Sequence, residues 1–337
     1  LFDAFVLSLL FGSFVFYYPN RVDGDELWSL YALGLIAVLS FFFKRERTVD
    51  LKLIGVVLVT AMVSTLLNPA NFAKASFANM FMACFSIKVM AERIKFTNKH
   101  FGVFLFAAHV VGLVFVYWQM TGQDMIYIPW ATKEVSGTFI MPWAMGCFAA
   151  LSIPFLYILS PWLCLIAAPA LYLSHSSICV ISAAIMFILM IPKHSRSIFL
   201  AGIALALAYV CFVDPSIDVA RFEVIGRSAK YIHNFIFGNG IGSWAHEGFL
   251  KLNGQDAYYW RFAHNEFYQH FFEAGIVGLI PALVAIAAML NKKSRAIVAA
   301  VIGIAILSTF HSMFHYGRLA VLGIVIFALA AKETSNA

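Results

Sequence analysis

Apolar runs of roughly 17 to 25 residues, the length a helix needs to cross a bilayer, recur along the whole chain with short polar intervals between them. About twelve such runs can be distinguished by that length, several of them short. They are centred within residues 4–18, 27–43, 53–67, 75–90, 101–120, 139–159, 161–173, 177–191, 198–213, 267–290, 296–310 and 319–331. No stretch alternates in the manner of a membrane barrel strand, and backbone polar groups cannot go unpaired in lipid, so the runs predict helices. The first run lacks the basic leader and small-residue cleavage site of a secretory signal and is read as a helix. The pattern yields once to a long polar interval, 214–263, between the ninth and tenth runs. The expected architecture is therefore an all-α polytopic integral membrane protein of about twelve helices, one domain over residues 1–337 with a large loop at 214–263.

Composition agrees with that pattern. Hydrophobic residues make up 62% of the chain and charged residues 12%, against about 25% charged in soluble domains. The basic residues behind the net charge of +6 are scattered between spans and not gathered in a stripe, which argues against a nucleic-acid partner. Cys84, Cys147, Cys164, Cys179 and Cys211 all fall inside apolar runs without the paired spacing of zinc or redox motifs. They are expected to serve packing, and neither a metal nor a cofactor is expected.

Lysine and arginine favour cytoplasmic connections. With the first helix running outward, the inner connections hold Lys44, Arg45, Arg47 and Lys52, then Arg93, Lys95 and Lys99, then Lys193 and Arg196, then Lys292, Lys293 and Arg295, and finally Lys332. The outer ones carry Arg21, Lys74, Lys133 and Arg318. The large loop breaks the rule, with Arg221, Arg227, Lys230, Lys251 and Arg261 facing outward. Either these cations are solvated and pair with Glu223, Glu247 and Asp256, or they hold an anion.

Arg227, Lys230 or Tyr231, and Asn234 recur at the spacing of one helical face, and guanidinium suits phosphate oxygens. Arg221, six residues before Arg227, converges with it only if the chain turns between them. Gly238, Gly240 and Gly242 predict a turn through left-handed backbone. Trp244, Tyr258, Tyr259 and Trp260 read as interfacial anchors. His264 precedes a long apolar helix at its outer boundary, where an imidazole can take a proton from an incoming hydroxyl. Glu266, His270 and Glu273 follow on one face of that helix, with Glu273 assigned a structural role in orienting the loop.

The series Gly226-Arg227, Gly238-Asn239-Gly240-Ile241-Gly242, Ala263-His264-Asn265-Glu266 and Glu273-Ala274-Gly275-Ile276-Val277-Gly278 resembles the shared segment of the bacterial O-antigen ligase and polymerase family. Ser136-Gly137-Thr138-Phe139 with Pro142 is similar to a second family segment. Two departures stand out: Lys133-Glu134 occupies a place where the family often has arginine, and Ser174-His175-Ser176-Ser177 lacks a usual arginine.

The resemblance implies an inverting, metal-independent membrane glycosyltransferase of the bacterial inner membrane with its active site facing the periplasm. Its donor would be a glycan on undecaprenyl pyrophosphate, with Arg227 on the pyrophosphate and His264 as acceptor base. Arg221, Lys133, Lys230, Tyr231, Asn265 and Glu266 are the expected substrate-binding residues. A lipid A-core acceptor would make it an O-antigen ligase of lipopolysaccharide biosynthesis; a second lipid-linked glycan would make it an O-antigen or exopolysaccharide polymerase, and a protein hydroxyl an O-oligosaccharyltransferase. A flippase for the lipid-linked sugar is the alternative of a different class.

Overall fold

A computed structural model describes residues 52–67, 73–122, 135–139, 141–192, 219–244, 262–291 and 293–334, together with isolated positions before residue 46. The regular secondary structure among the described residues is all helical, with no strand. In chain order the helices are α1 (Lys52–Leu67), α2 (Ala73–Arg93), α3 (Asn98–Met120), α4 (Pro142–Leu159), α5 (Ala168–Leu173), α6 (Ser177–Met190), α7 (Val219–Ser228), α8 (Glu266–Leu290), α9 (Arg295–Phe310) and α10 (Gly317–Thr334).

Three of these, α3, α4 and α8, are long and apolar enough to cross a membrane, which marks the chain as a membrane protein. The 23 residues of α3 extend about 35 Å at 1.5 Å per residue, enough for a hydrocarbon core of about 30 Å. Its surface separates into Phe101, Phe104, Leu105 and Ala108, which are buried, and Val103, Val110, Val114 and Tyr117, which are exposed. Both faces are apolar, as expected of a helix with protein on one side and lipid on the other.

Helix α4 is the central element: from Ala144 to Leu156 every residue is buried, with α3, α6 and α9 packed around it. Residues 161–173, expected as a span, form a 3-10 helix, Pro161–Ala167, followed by the short α5. Pro161 and Pro169 each lack an amide donor, and together they prevent one regular helix over so short a run.

The connections gather at two ends. At one, Asn98 Nδ2 donates to Ser294 Oγ (3.0 Å) and Glu333 Oε1 (2.9 Å), and Lys332 Nζ to the Phe96 carbonyl (2.7 Å). Lys95, Lys99, Lys293, Arg295 and Lys332 belong to these connections or to the helix ends that flank them. At the other end lie the 135–139 turn, the 174–176 link, the 262–266 turn and the 311–316 turn.

Helix α8 is discontinuous. Gly275 takes φ +65°, ψ −169°, a region essentially restricted to glycine. The break releases two helical hydrogen bonds, and the segment 235–240 replaces them with four. Asn239 N donates to the Phe272 carbonyl (2.9 Å), Gly240 N to the Glu273 carbonyl (2.9 Å), Ile276 N to the Phe235 carbonyl (3.1 Å) and Val277 N to the Ile236 carbonyl (3.1 Å). Ser64 Oγ on α1 adds a bond to the Glu273 carbonyl (2.7 Å). The loop is thus spliced into the helix, and its buried backbone is satisfied as an apolar setting requires.

Two backbones approach this closely only without side chains between them. A β-carbon at Gly275 would collide with the Ile236 carbonyl, and one at Gly238 with the Glu273 carbonyl. Gly275→Ala is therefore expected to cost about 3 kcal/mol or more, from glycine-only backbone and the lost splice together. Gly112→Ala, on an open face of α3, is expected to be neutral or to stabilise by up to about 1 kcal/mol. Thermal unfolding of the detergent-solubilised variants compares them, and equal melting temperatures would contradict the splice.

Candidate functional site

The turn that precedes α8 is held on both sides of His264. Asn265 caps the helix, its Oδ1 accepting from Tyr268 N (2.9 Å), and Ala263 N donates to Gln269 Oε1 (3.1 Å). Between these anchors His264 sits at φ +53°, a left-handed conformation uncommon outside glycine. Its backbone is fixed by its neighbours, and its imidazole is half-buried. The Asn265 side-chain oxygen expected at substrate is engaged in the cap.

Arg227 lies in the last turn of α7 and is half-buried. Next to it, Ser228 Oγ meets Tyr268 Oη at 2.9 Å, and the same phenol donates to the Ile225 carbonyl (3.1 Å). Val224, Trp244, Ala263 and Phe272 form a buried cluster with Tyr231, Ile232 and Tyr268 against it. The first two turns of α8 therefore carry the His264 turn at one end and bind the end of α7 that bears Arg227. Lys230 is exposed, its ammonium 5.1 Å from the centre of the Tyr231 ring, and the Tyr231 carbonyl accepts from Asn239 Nδ2 (2.7 Å).

Three expectations change at this point. Arg221 and Arg227 share one uninterrupted helix, so no turn brings them together; the Arg221 side chain lies outside the described residues. The face expected to run from Arg227 to Asn234 ends after the 3-10 turn Ala229–Tyr231, because Asn234 Oδ1 accepts from the amides of Ile236 and Phe237 and starts a new turn. Trp244 is fully buried, edge-on to Phe272 at 5.1 Å, and is a core residue, not an interfacial anchor. Lys133, His246, Glu247, Lys251, Tyr258, Tyr259, Trp260 and Arg261 lie outside the described residues.

Gly238, Gly240 and Gly242 have φ of +73°, +98° and +80°. They turn the chain so that the amides of Gly242 and Trp244 (3.4 Å) both reach the buried Glu273 carboxylate. Glu273 is the inner end of a polar relay. Glu266 Oε1 accepts from Phe314 N (2.8 Å) and from His315 Nδ1 (3.1 Å). On its far side His315 Nε2 lies 2.9 Å from Gln269 Nε2, which also donates to Glu273 Oε1 (3.3 Å).

One assignment satisfies every member of this relay. With Gln269 Oε1 taken by Ala263 N, its amide nitrogen supplies both protons, so His315 Nε2 is an acceptor and Nδ1–H donates to Glu266. Glu266, expected at substrate, instead uses this oxygen to tie α8 to the 313–315 turn. Phe262 lies over His315 with ring centres 4.5 Å apart.

Arg318, counted in the sequence only as an outer-loop cation, is 4% exposed. Its guanidinium donates to the Thr138 carbonyl and lies 5.7 Å from the Phe139 ring centre. Gln119 holds the same turn through Ser136 N (3.0 Å), Gly137 N (2.8 Å) and the Gly137 carbonyl (3.1 Å). The visible signal was an arginine at the start of an apolar helix, at the same end as the Ser-Gly segment.

No protein-family model matches the chain, and no curated protein matches it.

Proposed function

We propose that this chain is a membrane glycosyltransferase that moves a glycan from undecaprenyl pyrophosphate to an acceptor hydroxyl on the periplasmic face of the bacterial inner membrane. Among acceptors we favour lipid A-core, the O-antigen ligase reaction. The observation that carries the reading is the junction of the two halves of the motif. The Gly-rich turn is spliced into α8 at Gly275, while Tyr268 fastens the Arg227 helix to the turns just below His264. The collection of basic connections at the opposite end supports the orientation.

In this reaction the acceptor oxygen attacks the anomeric carbon, and the bond from that carbon to the phosphate oxygen breaks. Undecaprenyl pyrophosphate leaves with the electron pair, and the acceptor proton passes to His264. Arg227 offers a planar fork to the charge that develops on pyrophosphate. Attack opposite the leaving group inverts the anomeric centre.

The broken helix favours one other reading, since carriers often use interrupted helices whose freed backbone groups bind the cargo. In α8 the Phe272 and Glu273 carbonyls and the Ile276 and Val277 amides are instead taken by residues 235–240. Proteoliposomes loaded with donor separate the two. A transferase releases undecaprenyl pyrophosphate when an acceptor is added; movement of intact donor across the bilayer with no release would contradict the proposal.

A further inference from the structure

Cys147 on α4, Cys179 on α6 and His311, which caps the end of α9, are far apart in sequence and meet at the same end of the bundle as His264. Both cysteines are 0% exposed and His311 is 3% exposed. Their ligand atoms all lie within 4.8 Å of one another: Cys147 Sγ is 3.6 Å from Cys179 Sγ, which is 4.0 Å from His311 Nε2. Gly146 makes the meeting possible, since a β-carbon there would lie 3.0 Å from Cys179 Sγ and 2.7 Å from Ser174 Oγ. His311 stacks flat on Trp143 with ring centres 4.7 Å apart. Its Nε2 faces Cys179 Sγ and Ser176 Oγ, while its Nδ1, on the other side of the ring, is buried.

From this geometry we infer that Cys147, Cys179 and His311 bind a zinc ion. Tetrahedral bonds of about 2.3 Å to sulfur and about 2.0 Å to nitrogen set two thiolates about 3.8 Å apart and a thiolate about 3.5 Å from an imidazole nitrogen. Two of the observed spacings, 3.6 and 4.0 Å, are close to these values, and the third, between Cys147 Sγ and His311, is no more than 4.8 Å, so the site closes by side-chain movement of about 1 Å. Ser176 Oγ lies 3.1 Å from His311 Nε2 and is half-buried, so this hydroxyl or a water beside it would complete the four ligands.

Charge selects the metal. Two thiolates, one neutral imidazole and a divalent ion sum to zero, whereas a monovalent thiophilic ion would leave a net negative charge buried among apolar side chains. On binding, both thiols ionise and their two protons leave to solvent. The ion would join α4, α6 and the end of α9. Because Trp143 also meets Tyr316 edge-on at 4.6 Å, it would steady the turn that presents His315 to Glu266.

The inference is independent of the proposed transfer reaction, and its test reads metal alone. The full-length protein, reduced and stripped with chelator in detergent, is titrated with cobalt(II) under anaerobic conditions. The expected result is one cobalt per chain, with sulfur-to-cobalt charge-transfer absorption and tetrahedral visible bands, displaced by one equivalent of zinc. Cys164→Ala should keep these bands, while Cys147→Ser and Cys179→Ser should lose them. Each serine variant should weaken zinc binding by more than the roughly hundredfold at which loss of a supporting hydrogen-bond partner levels off.

Zinc should also raise the melting temperature of the stripped wild type, a reading that does not depend on any variant folding. Absence of thiolate bands in the wild type would overturn the inference. So would bands that survive both serine substitutions, or a Cys147–Cys179 disulfide as the form isolated without reductant.

Discussion

Replacement of His264 by asparagine or glutamine is expected to lower glycan transfer by about a hundredfold to ten-thousandfold, the usual contribution of a positioned acid-base group, with donor binding retained. Asparagine is the cleaner of the two, because it tolerates left-handed backbone and so keeps the turn that His264 occupies at φ +53°. Both replacements keep a polar side chain, and neither can carry a proton away at neutral pH. His264→Ala loses the proton acceptor and also places an ordinary residue in strained backbone, so its larger defect mixes two causes.

The comparison is read from kcat, donor affinity and melting temperature together. Near-normal turnover in the asparagine or glutamine variant would make His264 a positioning residue. Loss of donor binding in both would move it to the pyrophosphate site and turn the search for the base to Glu266, His246 and Glu247. Glu266 starts at a disadvantage there, because one of its oxygens already accepts from Phe314 N and His315.

Arg227→Lys is expected to reduce transfer by about tenfold to a thousandfold, the range for loss of one charge-stabilising donor. Lysine preserves the positive charge near the C-terminal end of α7, where a cation complements the helix dipole, so the helix should remain docked through Ser228 and Tyr268. What it lacks is the planar fork that meets two phosphate oxygens at once. The defect should therefore appear with an unchanged melting temperature and grow with the charge of the leaving group. Wild-type activity at equal protein level would remove Arg227 from the central role.

Much of the helical layout was legible because apolar length is a one-dimensional property of the chain. The cores of α3, α4, α6, α9 and α10 follow from runs that are apolar on every face. The splice at Gly275 was not legible. Gly238 and Gly275 were visible as glycines, but their contact is backbone against backbone, and no periodicity in side chains announces it.

The same limit hid the polar relay. Glu266, His270 and Glu273 share a helical face in the sequence, yet their partners come from elsewhere: Phe314 and His315 for Glu266, and Trp244 for Glu273. Cys147, Cys179 and His311 lack local metal-ligand spacing because two helices and the cap of a third supply them. Arg318 read as a surface cation because burial is a property of the packed bundle.

The most direct measurement is transfer by the purified protein from a defined undecaprenyl-pyrophosphate-linked glycan, with lipid A-core, a second lipid-linked glycan and a protein bearing free hydroxyls each supplied separately. The account predicts a glycan-extended lipid A-core with inverted anomeric linkage, stoichiometric release of undecaprenyl pyrophosphate, and loss of both in the His264→Asn protein. Transfer to none of the three acceptors, by protein whose folding and donor binding are intact, would contradict it.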